Sequence, residues 1–129
     1  VDQDEEPAHC DLDGIGSLRP AFAKDGTVTA ASSSSISDGA ASLLLMSEAE
    51  AAKRGLAPLA RIAGHSGHAH EPEWFTTAPV GAIKKVLATT GWTADDVDLY
   101  EINEAFASVV LAWEKELKPD MDTVNPNCV

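Results

Sequence analysis

Short apolar runs alternate along this chain with longer stretches in which apolar residues recur at helical spacing. Short runs bounded by turn-forming residues are typical of buried strands. Residues 43–46 form a fully apolar run, and residues 27–30 form a β-prone run after an Asp-Gly turn. The pattern predicts strands at residues 27–30, 43–46, 59–64 and 97–102.

Three helices are predicted between and after these strands. Ser47 and Glu50 form a capping-box signature, in which Ser47 caps the helix and Glu50 reaches back, and Gly55 suits the helix end. The next helix starts at Thr77 with a proline in its first turn and stops at Gly91. The last helix opens at residue 103 and ends before a proline at residue 119. The apolar stripes of the last two helices are Val80, Ile83, Val86 and Leu87, and then Phe106, Val109, Val110, Trp113 and Leu117.

The order of predicted elements is β, β, α, β, α, β, α after an acidic arm and loop over residues 1–26. This alternation predicts an α/β layered sheet with right-handed crossovers. A chain of 129 residues is long enough for one domain with a moderate core.

The formal net charge of −12 argues against a nucleic-acid or anionic-membrane surface, which needs clustered lysine and arginine. No apolar run approaches the roughly 20 residues of a membrane helix, and no secretory leader is visible. The two cysteines, Cys10 and Cys128, are too few for a disulfide framework, and neither is nominated as a nucleophile. Cysteine usage favours a reduced, cytoplasmic setting. The chain begins at Val1 and stops after a turn at residues 125–127, which suggests a piece of something larger.

Asn103 and Glu104 follow the predicted strand at residues 97–102, at the edge where α/β proteins place their ligands. In one interpretation Asn103 caps the last helix and Glu104 interacts with its dipole. In the other, the Asn103 amide positions a water or a developing oxyanion.

Three histidines, His65, His68 and His70, lie within six residues, and Glu71 and Glu73 follow them. This composition raises the hypothesis of a metal site, although no cysteine is adjacent. The alternative is a polar loop that happens to be rich in histidine.

Trp74 and Phe75 are large aromatic residues in a loop of a chain with only 5% aromatic residues. They either pack the loop onto the sheet or form the wall of a small apolar pocket. The serine tract at residues 32–35 lacks the pattern of a phosphate-binding loop and of a nucleophile elbow. Its small side chains would let a narrow ligand approach the backbone.

Six blocks of the sequence form a recognisable set, at residues 18–22, 25–30, 34–41, 59–62, 77–80 and 101–107. The most specific of them reads Glu-Ile-Asn-Glu-Ala-Phe-Ala at residues 101–107. Together these blocks resemble thiolases. They occur in family order, and their combination is highly specific.

The resemblance implies a thiolase-like layered mixed sheet with covering helices, incomplete in this fragment, and a ping-pong acyl transfer. In the family a cysteine takes the acyl group from acyl-CoA, and a second cysteine and a histidine handle the protons. By the resemblance, Asn103 holds a water that forms part of an oxyanion hole, and Ser34 contacts the pantetheine arm of CoA. Phe75 and Phe106 belong to the wall of the acyl pocket.

The resemblance also implies that this chain is a fragment. The nucleophilic cysteine lies upstream in the family, and the Gly-His-Pro and Cys-x-Gly-Gly-Gly motifs follow the position of Asn127. Residues 27–58 then correspond to the end of the N-terminal half of a thiolase, and residues 59–129 to the start of the C-terminal half. We therefore expect the fragment alone to be inactive, because the nucleophile and both acid/base groups are absent from it. We also expect it to be marginally stable, because unpaired strand edges and a split core leave apolar faces without partners.

Two branches of the family remain open. Residues 71–79 resemble acetyl-CoA acetyltransferases, whereas residues 108–113 also resemble 3-ketoacyl-CoA thiolases of fatty-acid or steroid side-chain breakdown. Either branch implies acyl-CoA substrates, no resident cofactor or metal, and a homodimer or homotetramer. A third possibility, from another functional class, is a truncated, non-catalytic acidic interaction module.

Overall fold

The computed structural model describes residues 6–126, and Cys128 lies outside this range. Its α-helices are α1 (Glu6–His9), α2 (Glu48–Lys53), α3 (Ala78–Thr90) and α4 (Ala107–Leu117). None of the helices within residues 6–126 has the length and apolar character needed to cross a membrane. Short 3-10 helices span Ile15–Ser17, Ala30–Ser32, Pro72–Thr77, Ala94–Asp96 and Met121–Thr123.

The ends of α2 and α3 follow the local signals in the sequence. The Ser47 hydroxyl accepts a hydrogen bond from the Glu50 N–H at 3.2 Å, as predicted. The Glu50 carboxylate does not close the box, because it accepts instead from Arg54 Nε at 2.5 Å. Gly55 and Gly91 adopt the positive φ angles, +67° and +73°, that end helices at little cost for glycine.

The predicted strands are the main difference between expectation and structure. Among residues 6–126 no strand forms at residues 27–30, 43–46 or 59–64, and part of the first becomes the 3-10 helix Ala30–Ser32. A strand exists only with a partner for its backbone groups. Leu44 is 81% exposed and Leu59 fully exposed, so these apolar runs lack the neighbours that would bury them.

Two isolated β-bridges pair extended segments that are distant in the sequence. Ser33 pairs with Phe106 in antiparallel orientation, and Tyr100 pairs with Val124 in parallel orientation. The second bridge is held by Tyr100 N–H to the Thr123 carbonyl, at 2.9 Å, and by Asn125 N–H to the Tyr100 carbonyl, at 2.7 Å. The predicted strand at residues 97–102 is therefore reduced to one pairing position.

The core lies where α3, α4 and the Tyr100 segment meet. Val80, Tyr100 and Trp113 are buried, and Trp113 is completely so. The rings of Tyr100 and Trp113 lie 4.7 Å apart between centroids. This packing holds the segment before residue 103 against both helices, and it anchors the end at which the candidate site lies. Partly buried apolar residues around this core are Ile83, Val97, Ile102, Leu117 and Val124.

Candidate functional site

Asn103 lies in the loop between the Tyr100 pairing position and α4. The helix begins at Ala107 with Phe106 in the N-cap position, so the interpretation of Asn103 as a helix cap is wrong. Helix capping requires the side chain to reach the first N–H groups of the helix, and Asn103 is too far upstream of them. Its side chain is exposed, and within residues 6–126 its amide makes no hydrogen bond. The amide is therefore available to a water or a ligand.

The serine tract lies directly beside this loop. Ser34 N–H donates to the Ala105 carbonyl at 3.0 Å, next to the bridge between Ser33 and Phe106. The Ser33 hydroxyl in turn donates to the Thr29 carbonyl at 2.7 Å. The tertiary structure thus brings Ser34 and residues 103–107 together from distant parts of the sequence.

A narrow cleft of about 270 Å³ opens at this junction. Small side chains and one carboxylate line it, so an extended, thin ligand could reach the backbone of the serine tract. The lining residues are Ala31, Ser32, Ser33, Ser34, Ser35, Glu104 and Ala107.

Phe106 is the centre of an aromatic cluster. Its ring packs edge-on against Phe75, with centroids 5.9 Å apart, and against Phe22, at 6.1 Å. Phe106 is partly buried, whereas Phe22 and Phe75 are 78% and 50% exposed. Phe75 and Phe106 were both expected in one pocket wall, and they are in contact. Phe22 was not singled out from the sequence, although it lies in one of the blocks that carried the resemblance.

Asn125 is a second residue that sequence reasoning missed. Its Oδ1 accepts from Ile102 N–H at 2.6 Å, and its Nδ2 donates to the Ile102 carbonyl at 3.0 Å and to Glu104 Oε1 at 2.6 Å. Its φ of +48° lies in the left-handed region, which asparagine tolerates better than most residues. The sequence indicates only a turn at this position, because the hydrogen-bond partners, Ile102 and Glu104, are more than twenty positions away.

The histidine loop does not assemble a metal site. Within the described part of the chain, no group of three or more His, Cys, Asp and Glu side chains is close enough to hold an ion. The His68 ring lies over Gly81, where a Cβ would come within 2.5 Å of it. His70 Nδ1 instead bonds to the Glu71 carboxylate.

A second, open cleft of about 660 Å³ runs along residues 70–74 beside this loop. The backbone N–H of Glu71, together with the hydrogen bond and charge of His70, lowers the pKa of the Glu71 carboxyl. Trp74 is 60% exposed along the same cleft. Nothing in this geometry connects the cleft to Asn103.

Among the described residues, the structure thus places the loop that carries Asn103, whose amide makes no hydrogen bond there, beside a serine-lined cleft. Comparison with family models identifies the class of protein that this site belongs to. The chain matches the thiolase C-terminal domain over residues 56–128 and the thiolase N-terminal domain over residues 1–49. The chain belongs to the thiolase family, as the sequence blocks indicated.

Relatives and solved structures agree with this family. The chain is 49% identical to an acetyl-CoA acetyltransferase of Rhizobium meliloti, over 98% of this chain and 33% of that protein. It superposes on the Ascaris suum Acat5 thiolase, solved in complex with coenzyme A, with a TM-score of 0.91 and 39% identity, over 97% of this chain and 33% of that one.

The Bacillus anthracis acetyl-CoA acetyltransferase gives a TM-score of 0.85 and 49% identity, over 89% of this chain and 29% of that one. The α/β fold class is therefore confirmed. The chain spans about a third of the length of the curated relatives that it matches.

Proposed function

We propose that this chain is part of a thiolase that condenses two acetyl-CoA molecules to acetoacetyl-CoA, or cleaves acetoacetyl-CoA with CoA. The observation that carries the proposal is the junction of the serine tract with residues 103–107. There Ser34 N–H donates to the Ala105 carbonyl, and the Asn103 amide makes no hydrogen bond to any residue of the described range 6–126. The relatives at 45–50% identity include several acetyl-CoA acetyltransferases. This favours that branch over the 3-ketoacyl-CoA thiolases of fatty-acid or steroid breakdown.

In the proposed reaction a cysteine thiolate attacks the ketone carbon of acetoacetyl-CoA, and the bond between its second and third carbons breaks. One acetyl group stays on the cysteine, and the other leaves as the enolate of acetyl-CoA, which takes up a proton. The thiolate of free CoA then attacks the acyl-enzyme and releases a second acetyl-CoA. The resemblance places the cysteines and the histidine of these steps outside residues 1–129, so we expect the chain alone not to turn over.

The residues of this chain would supply binding and electrostatic stabilisation. The Asn103 amide would hold a water that donates to the thioester oxygen as negative charge develops on it. Ser34 and the cleft around it would receive the pantetheine arm of CoA. Phe75 and Phe106 would close the acyl pocket and exclude water from the reacting carbon.

Three further parts of the proposal concern the whole protein. Residues 27–58 and 59–129 would belong to the N-terminal and C-terminal halves of the enzyme. CoA thioesters would be its substrates, with no resident cofactor. The whole enzyme would be a cytoplasmic homodimer or homotetramer.

The test is thiolysis of acetoacetyl-CoA, followed by the loss of its enolate absorbance after addition of CoA. We expect turnover by the full-length protein that carries this chain and none by the 129-residue chain. Turnover by the 129-residue chain would overturn the placement of the nucleophile. A full-length protein that binds CoA without turnover would favour a non-catalytic interaction module.

A further inference from the structure

Asn125 makes a two-way contact with the backbone just before Asn103. Its side-chain oxygen accepts from Ile102 N–H at 2.6 Å, and its side-chain nitrogen donates to the Ile102 carbonyl at 3.0 Å. The amide of Asn125 thus pairs with both polar groups of one residue, in the way that a neighbouring strand would. It carries the pairing that its own N–H begins at the Tyr100 carbonyl two residues further, to Ile102.

The same amide also reaches the other side of Asn103. The second proton of Nδ2 donates to Glu104 Oε1 at 2.6 Å. The Ile102 carbonyl belongs to the peptide bond that enters Asn103, and Glu104 is the residue that follows it. One side chain therefore holds the residues on both sides of Asn103 and leaves the Asn103 amide without a bond of its own within residues 6–126.

A side-chain carboxamide satisfies all of these requirements at position 125. The contacts use one acceptor and two donors, which is the inventory of a carboxamide. Aspartate would keep the acceptor but lose both donors, and its charge would face the Ile102 carbonyl and the Glu104 carboxylate. Glycine would accept the left-handed backbone at φ +48° but would make none of the three contacts.

We propose that Asn125 is a positioning residue, which holds residues 102–104 so that the Asn103 amide keeps in place the water that donates to the reacting oxygen. This inference rests on the proposed function of Asn103. Catalytic groups lose rate steeply when they are misplaced by about 1 Å, because their hydrogen bonds matter most in the transition state. A loose Asn103 loop would therefore lower kcat and leave substrate binding nearly unchanged.

The test compares Asn125→Gly and Asn125→Asp in the full-length protein by steady-state thiolysis of acetoacetyl-CoA. We expect kcat to fall by about 10- to 100-fold in both variants, with KM within about twofold of wild type. The matched control is Asp120→Ala, because the Asp120 carboxylate also binds backbone, at Asp122 N–H, but does not contact residues 102–104. The control is expected to keep kcat within about twofold.

Rescue distinguishes positioning from a general loss of structure. Adding Glu104→Gln to Asn125→Asp supplies an amide donor opposite the new carboxylate and restores one of the two lost contacts. We expect the double variant to recover part of kcat relative to Asn125→Asp alone. No recovery would mean that the contact with Glu104 does not orient the loop.

Hydrogen exchange of the peptide that contains Ile102 tests the contact with Asn125 without relying on turnover, so its failure can be told from failure of the proposed function. We expect faster exchange in Asn125→Gly than in wild type, whether or not the full-length protein turns over acetoacetyl-CoA. Equal exchange in the two proteins overturns the positioning contact. Faster exchange with unchanged kcat in an active enzyme also overturns the positioning proposal. An inactive wild-type enzyme overturns the proposed function instead, and with it any role of Asn125 in turnover. If Asn125→Gly does not fold, the isosteric Asn125→Asp supplies both measurements.

Discussion

The rings of Phe75 and Phe106 pack edge-on at 5.9 Å between centroids, with an angle of 66° between their planes. One ring comes from the 3-10 helix Pro72–Thr77 and the other from the N-cap position of α4. The contact joins the segment expected to form the acyl pocket to the segment that carries Asn103. It also gives two aromatic side chains whose size would limit the length of an acyl chain.

Shortening the side chain of residue 75 should therefore change the substrate selectivity of the full-length enzyme. In the full-length enzyme we expect Phe75→Ala to raise kcat/KM for 3-ketohexanoyl-CoA relative to acetoacetyl-CoA by about tenfold, within the range that one or two methylenes contribute in an apolar pocket. The measurement is the ratio of the two kcat/KM values in parallel thiolysis assays. Trp74→Ala is the matched control, because Trp74 is a neighbouring exposed aromatic residue with no ring contact to Phe106. An equal shift in both variants would contradict a role for Phe75 in the pocket.

Asn103→Ala should lower the rate of the chemical step. Loss of one oxyanion donor typically costs about 100- to 1,000-fold in kcat, and we expect a decrease of that size in thiolysis by the full-length enzyme. KM should stay within about twofold of wild type, because the contact strengthens only as charge develops. A large rise in KM with unchanged kcat would assign Asn103 to substrate binding instead.

Leu44→Lys should reduce self-association of the isolated chain and lower the thermal stability of the full-length protein. In the isolated chain Leu44 is 81% exposed within an apolar run, so a charge there should reduce self-association as seen by light scattering. In the full-length protein residues 43–46 are expected to form a buried strand, and the same substitution should lower thermal stability.

Ala88→Lys, on the exposed face of α3, is the control for the added charge. It should change neither property appreciably. The expectation that residues 43–46 become a strand fails if Leu44→Lys leaves the full-length protein as stable as Ala88→Lys does.

Tyr100 should titrate above its ordinary pKa of 10.0, because burial and then the charge of Asp95 disfavour its ionised form. The chain has a single tyrosine, so the near-ultraviolet absorbance of tyrosinate reports this side chain alone. We expect an alkaline midpoint above 10.0 in the folded chain and a return toward 10.0 in urea.

The stability linked to this shift is present below pH 10.0 and is lost as pH rises through the higher pKa of the folded state. In Tyr100→Phe this loss should disappear, although the variant also gives up the bond from the hydroxyl to the Ala94 carbonyl, worth about 0.5–1.5 kcal/mol. A folded-state midpoint at or below 10.0 would contradict the burial of Tyr100 in the core.

Local signals in the sequence predicted the helices well and the strands poorly. A proline in the first turn and a glycine after the last one act within a few residues, and α3 ends at Gly91 as expected. The apolar run at residues 43–46 carries no such local signal, since a strand needs a partner that lies elsewhere in the chain. Asn103 shows what the sequence could not decide in a loop. An asparagine at this position suits a helix N-cap, and only the start of α4 at Ala107 excluded Asn103 from that role.

The sequence by itself determined the family and the boundaries of α2 and α3. It also predicted Asn103, Ser34, Phe75 and Phe106 as site residues, and these assignments stay proposals. Family membership is a property of residue order, and helix ends depend on neighbours a few positions away. Only the tertiary structure decided that Ser34 meets Ala105, that Phe22 joins the Phe75–Phe106 pair, and that Asn125 holds the backbone around Asn103. These contacts join distant positions, and they form only when the packing of α3, α4 and Tyr100 compensates the loss of chain entropy.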